Sequence, residues 1–212
     1  MFHRDQNIEK IVDIVVLANS YKHGEHCIAG KCLITKEWIR PVSDINGGAI
    51  SSDQAKIQNK YGVFPTKPLQ KVQIRIDQHT PLINQPENHL IKKEQWIQKY
   101  NIKNHELLNY LDTPSTLWGR GNHVSYSNIQ NGIQKIDQSL YLVQVSNLNL
   151  IINEDGKKRA IFDYNNEQYN LPVTDPQFNK ILEQRPELAS ILCISLACEF
   201  HNKCYKVVAT IF

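Results

Sequence analysis

No run of 18 apolar residues occurs anywhere in the 212-residue chain, so no segment reads as a membrane-spanning helix. No secretory signal pattern stands at its start, and the five cysteines (Cys27, Cys32, Cys193, Cys198 and Cys204) are odd in number, which argues against a disulfide framework. A cytoplasmic location is therefore expected. There is no tight C-x-x-C knuckle. Cys27 and Cys32 are five positions apart, and on a strand an odd separation sends two thiols to opposite faces. No metal and no cofactor is expected. "GEHCIAGK" is one residue too long for a phosphate loop, and Cys32 stands where a magnesium-binding Ser or Thr would be needed. Strong charge of one sign is missing too. The net charge is only +3, so an anionic partner must be held by a local patch.

What is present is strand. With 41% hydrophobic and 21% charged residues, the chain can build a packed core. "IVDIVVL" (11–17) is β-branched and nearly continuous, as a buried strand is. "CIAGKCLI", "EWIRPV" and the alternating "KVQIRID" follow, with Pro41 expected to end its strand or lie at an edge. Residues 92–111 carry an irregular helical pattern. "SLYLVQVSNLNLII" reads as one long strand, and "KRAIFDY" and "EQYNLPV" flank "NNE" as a hairpin. "TDPQFNKILEQ" is a helix capped by Thr174 or Asp175, and "ASILCISLA" and "KCYKVVATIF" close the chain as strands. Strands do not alternate regularly with helices, which excludes a regular parallel α/β sheet and favours small antiparallel barrels.

Chemistry concentrates in residues 18–43. Lys22, His23, Lys31 and Arg40 lie on or between three short strands. Trp38 and Arg40 have the same parity and share a strand face. An aromatic plane beside a guanidinium can stack a base and hold its phosphate. The alternative is a core Trp38 with Arg40 laid along it. Asn19, Ser20 and Ser43 can read polar edges. Cys27 beside His23 and His26 has the residue types of an activated nucleophile, although neighbouring residues on a strand face opposite ways. A second candidate element is "STLWGRGNHVSYS", where Arg120 lies between two glycines and Asn122 and His123 follow. Arg159, in the basic turn "DGKKR", is expected to matter less to an anion than Arg40.

"LANSYK", "CIAG", "WIRPVS", "LPVTDP" and "CYKVVATI" together resemble the bacterial dual OB-containing domain proteins, over nearly the whole chain from Leu17 to Ile211. After "GRGN" the family pattern has an acidic and then a basic residue, where this chain has His123 and Val124. The resemblance implies a mainly β protein with two small OB-like barrels: residues 1–90, a helical or loop insertion at 91–138, and residues 139–212. It implies a nucleic-acid or nucleotide-binding module, with a place in bacterial defence suspected. Single-stranded nucleic acid is the favoured ligand and a partner protein is open. The expected contacts are Asn19, Ser20, Lys22, Trp38, Arg40, Ser43, Arg120, Asn122 and His123. An enzyme using Cys27 or His23, or a scaffolding subunit, is the alternative; no catalytic residue is assigned.

Overall fold

The computed structural model describes residues 10–22, 25–184 and 190–212, without the side chains of residues 21, 22 and 25. The first unit contains β1 (Lys10–Lys22), β2 (Glu25–Cys32), β3 (Trp38–Val42), β4 (Lys56–Asn59), β5 (Gly62–Pro65), β6 (Gln70–His79), β7 (Asn88–Ile91) and β8 (Trp96–Asn101). Five of these close a barrel in the order β1-β2-β3-β7-β6, with β6 returning to β1 and β3 parallel to β7. Ile14, Val16, Ile28, Ile39, Val72, Ile74 and Trp96 fill it. The opposite faces of β1 and β2 are buried as well, because Val15, Leu17 and Ala29 meet the second unit. Burial on both faces is why "IVDIVVL" shows no clean alternation.

Opposite Val16 stands Gly30, beside a register shift between Val16 and Ala18. A Cβ at Gly30 would lie 2.2 Å from the Val15 carbonyl oxygen, so this crossing admits only glycine. Pro41 sits inside β3 and does not end it. β2 pairs with β3 only at Ile39 and Trp38, while Pro41 pairs with His89 on the β7 side. Its missing N–H therefore costs no ladder bond.

The second unit contains β9 (His123–Ser125), α1 (Tyr126–Gln130), β10 (Leu140–Gln144), β11 (Ser146–Ile152), β12 (Lys158–Tyr164), β13 (Glu167–Pro172), α2 (Phe178–Glu183), β14 (Ile191–Phe200) and β15 (Lys203–Ile211). The long strand expected at 139–152 breaks at Val145, whose N–H goes to the Ser190 carbonyl. Counting β10 and β11 as one bent strand, the order repeats that of the first barrel. β11, β12 and β13 form a meander, β15 and β14 lead back to β10, and a single parallel bridge from Val173 to Val208 joins the two sheets. The β12–β13 turn is Asn165-Asn166, both at positive φ (48° and 63°), as a two-residue hairpin of this twist requires.

Residues 92–111 are not the helix the pattern suggested. Trp96–Asn101 is β8, which joins the first sheet, and Asn104–Tyr110 is a short 3-10 helix. The pattern misleads because Trp96 is buried while Ile97 and Tyr100 are exposed. Leu107 and Tyr110 of the 3-10 helix wedge into a shared core with Val15, Trp38, Leu140, Leu142, Cys193 and Ala209. That core joins the barrels into one mainly β body. Among the described residues no helix is long and apolar enough to cross a membrane.

Candidate functional site

In an OB barrel the outer face of the second and third strands, with the loops beside it, is the usual ligand side. Trp38 and Arg40 do share that face of β3, as strand parity required, and Lys31 of β2, the cross-strand partner of Trp38, joins them. The occupant is the second barrel. Trp38 is 5% exposed and donates Nε1–H to Asp112 Oδ2 at 3.0 Å. Lys31 Nζ meets Asp112 Oδ1 at 2.5 Å and the Tyr110 carbonyl at 2.8 Å. Arg40 is 8% exposed. Its guanidinium reaches Glu87 Oε1 at 3.3 Å, Ser139 Oγ at 2.8 Å and Ser195 Oγ at 3.3 Å. Ser139 also donates its N–H to Glu87 Oε2 and its hydroxyl to Oε1. A stacking indole with an open guanidinium is thus not found; both groups are spent on the junction, because a buried charge must be paired and hydrogen-bonded.

Beside Asn19 of β1 and His26 of β2 a cleft of about 620 Å³ opens between the barrels. Asn19 forms part of its floor. Its Nδ2 donates to the Thr66 carbonyl at 2.6 Å, its Oδ1 lies 3.0 Å from His26 Nδ1, and its backbone N–H reaches Thr210 Oγ1 at 3.4 Å. With the amide oriented by Thr66, His26 Nδ1 is the donor to Oδ1. Burial lowers the His26 pKa and favours the neutral imidazole.

From the second barrel comes Asp175. One carboxylate oxygen accepts the Gln177 N–H at 2.7 Å, the other the Ile211 N–H at 2.9 Å, so it ties the start of α2 to the last strand. Burial raises its pKa, and the two N–H donors and Lys158 oppose that shift. Two sequence motifs 156 positions apart, at Asn19 and Asp175, therefore line one cavity. Pro65, Leu69, Ile181 and Phe212 supply apolar walls, and Lys67 and Lys180, both exposed, supply positive charge. Among the described residues neither lysine has an ion-pair partner. Thr66 is 2% exposed, and its Oγ1 has no hydrogen-bond partner among the described residues. That oxygen is itself closed off from solvent, so a ligand reaches it only where the cleft wall opens. Sequence reasoning passed over Thr66, Lys67 and Lys180; the Pro65-Thr66-Lys67-Pro68 run was the available sign.

The other expected contacts do not converge here. Ser20 is half-buried on β1 and Ser43 lies in the turn after β3; neither lines the cleft. The Lys22 side chain and all of His23 lie outside the described residues. Cys27 is exposed and Cys32 lies in the barrel core, on opposite sides of β2. Arg120, Asn122 and His123 form a separate element on the second barrel. Arg120 is exposed and pairs with Glu167 at 3.2 Å, and Asn122 Oδ1 lies 3.0 Å from His123 Nδ1. What holds this loop is Lys206, a fully buried lysine whose ammonium donates to the carbonyls of Gly119, Arg120 and Gly121 at 2.6, 3.2 and 2.9 Å. Burial lowers its pKa to about 8, with Glu167 acting in the opposite direction.

Two barrels with the same strand order, joined face to face with a cleft at one end, agree with the comparison of the sequence with known families. No curated protein matches the chain significantly. Residues 12–211 match the sequence profile of the dual OB-containing domain, and the chain belongs to that family.

Proposed function

We propose that this protein is a nucleotide- or nucleic-acid-binding module whose contact site is the cleft between its barrels. OB folds generally bind nucleic acids or nucleotides, but that is a property of the fold and fixes no site. The observation that carries the proposal is the make-up of the cleft. A cavity of about 620 Å³ has the volume of a small-molecule pocket. Its walls are proline and aliphatic, suited to the flat face of a base. The Asn19 and His26 side chains offer polar contacts at the floor. Lys67 and Lys180 stand where phosphates would leave it.

The test is a titration of the purified protein with ribo- and deoxyribonucleotides and with short single strands, at two salt concentrations. Lys67→Ala and Lys180→Ala are each expected to weaken binding about fivefold or more and to flatten its salt dependence, because each removes a phosphate-neutralising cation. Both side chains are exposed, so the melting curves stay unchanged. Absence of any nucleotide or strand binding at low salt by the folded protein would sink the proposal.

A further inference from the structure

The OB core needs only five strands, yet the first barrel carries three more. The β4–β5 hairpin, inserted between β3 and β6, pairs with β8, and β8 pairs with β6. Cross-strand partners point to the same face of a sheet. The rungs Gln73–Ile97, Ile97–Gln58 and Gln58–Val63 therefore define one outer face across β6, β8, β4 and β5, and the rung Lys71–Tyr100 belongs to it. The inner face of the same strands is spent on the core, through Val72, Trp96 and Ile57.

This outer face is unusual for a surface. On it Tyr100 is 54% exposed, Val63 51% and Ile97 38%, and Tyr61, 77% exposed, stands in the turn that joins β4 to β5. Each exposed tyrosine carries a lysine. Lys60 Nζ lies 4.8 Å from the Tyr61 ring centroid and Lys71 Nζ 4.2 Å from that of Tyr100, where it also hydrogen-bonds the phenol. Exposed Lys99 stands beside Tyr100 at the register shift between β6 and β8. Glu106 flanks Lys71 and is engaged by the Lys103 N–H at 2.8 Å. The face also continues into the cleft. Leu69, which lines the cleft, accepts the Ile102 N–H at 2.8 Å, and the Gln70–Asn101 and Lys71–Tyr100 rungs follow directly.

We propose that this face is a second binding site, a track for single-stranded nucleic acid that leads away from the cleft. It rests on the nucleic-acid reading of the cleft and extends it. Tyr100 and Tyr61 give two ring faces on which successive bases stack, and Lys71, Lys99 and Lys60 take the phosphates between them. Rings that each carry a cation, one on the sheet and one at the β4–β5 turn, fit a flexible polyanion with flat bases. Duplex is disfavoured, because its bases are already stacked on one another.

The test compares a mononucleotide with homopolymeric single strands of about 4, 8 and 12 nucleotides, by fluorescence anisotropy on the full chain. Wild-type affinity is expected to rise with length. Tyr61→Ala/Tyr100→Ala is expected to keep mononucleotide affinity and to lose about tenfold or more on the 12-mer, while the Phe/Phe variant retains it. Lys60→Gln/Lys71→Gln should reduce the salt slope on the 12-mer alone. Wild-type affinity that does not rise with length overturns the track and leaves the cleft proposal standing, and so does a Tyr-to-Ala variant with wild-type 12-mer binding. A 12-mer still bound through the tyrosines by Lys67→Ala/Lys180→Ala protein that has kept its mononucleotide affinity supports the track and removes the cleft. If light scattering shows that the wild type self-associates through these tyrosines and binds no strand, the face is a protein interface and the track is overturned.

Discussion

Trp38 and Asp112 meet across the barrel junction, the indole Nε1 donating to Oδ2 at 3.0 Å. The same oxygen accepts the Leu142 N–H at 2.8 Å, and Oδ1 holds Lys31. A single carboxylate from the connecting segment thus fixes β2 and β3 of one barrel to β10 of the other. Replacing it by Ala leaves Lys31, 5% exposed, without its counter-ion. Asp112→Ala should cost about 3–5 kcal/mol in urea unfolding. Trp38→Phe keeps the ring in the core and loses only one donor, so about 1 kcal/mol is expected. Equal losses in the two variants would show that packing, and not the carboxylate, holds the junction.

Arg40 and Arg159 stand in different surroundings from those the sequence suggested. Arg40 is closed in by Glu87, Ser139 and Ser195, whereas Arg159 lies on the open side of β12, where its guanidinium reaches the Asn170 side chain at 2.8 Å and the Asn170 carbonyl at 2.5 Å. Arg40→Ala strands a buried carboxylate and should cost about 3 kcal/mol or more, whereas Arg159→Ala should cost under about 1 kcal/mol. Glu87→Gln/Arg40→Met removes both charges and should recover much of the loss. A melting curve for Arg40→Ala indistinguishable from wild type would contradict the placement of its side chain.

Strand parity was legible in the sequence, and it put Trp38 and Arg40 on one face correctly; that Lys31 joins them depends on the pairing of β2 with β3. What covers that face was not. A ligand and a second barrel offer a buried cation the same thing, an anionic or carbonyl oxygen, and those oxygens come from Glu87, Asp112 and Ser139, far along the chain. The barrels themselves were readable because alternation at 72–76 and the Asn-Asn turn at 165–166 are local signals. The sheet extension was not, because the Gln58–Ile97 rung depends on a pairing between β4 and β8 that no local pattern encodes.

Lys206 makes stability depend on alkaline pH in a defined direction. Its folded pKa of about 8 lies below the ordinary lysine value of 10.5. Between these the unfolded chain binds more protons than the folded one, so stability rises as pH increases through that window. Below pH 8 the ammonium is held in the interior at a cost that its three carbonyl partners only partly offset. In Lys206→Met the rise should vanish. The wild-type-minus-variant stability is expected to grow by about 2 kcal/mol between pH 7.5 and pH 10, read from urea unfolding at each pH. A difference that stays constant would mean that Lys206 titrates normally.

Thr66 separates a binding role from a structural one. Its hydroxyl is buried without a partner among the described residues, and an unsatisfied buried polar group costs about 1–3 kcal/mol. Thr66→Val keeps the shape and removes that cost, so the free protein should be as stable as wild type, or more stable by up to about 1 kcal/mol. The carbonyl of residue 66, which takes the Asn19 amide, is present in either variant. If the cleft wall opens to bring this hydroxyl to a nucleotide, Thr66→Val must at the same time weaken nucleotide binding by about five- to tenfold, the worth of one hydrogen bond. Thr66→Ser supplies the control. It loses a methyl group and about 1 kcal/mol of packing while keeping the hydroxyl, so it should melt earlier yet bind as wild type. Thr66→Val thus lowers affinity without lowering stability, and Thr66→Ser lowers stability without lowering affinity. Calorimetric melting alongside nucleotide titration reads both quantities from the same preparation. A Thr66→Val protein that melts well below wild type would assign the hydroxyl to the fold and remove it from the site.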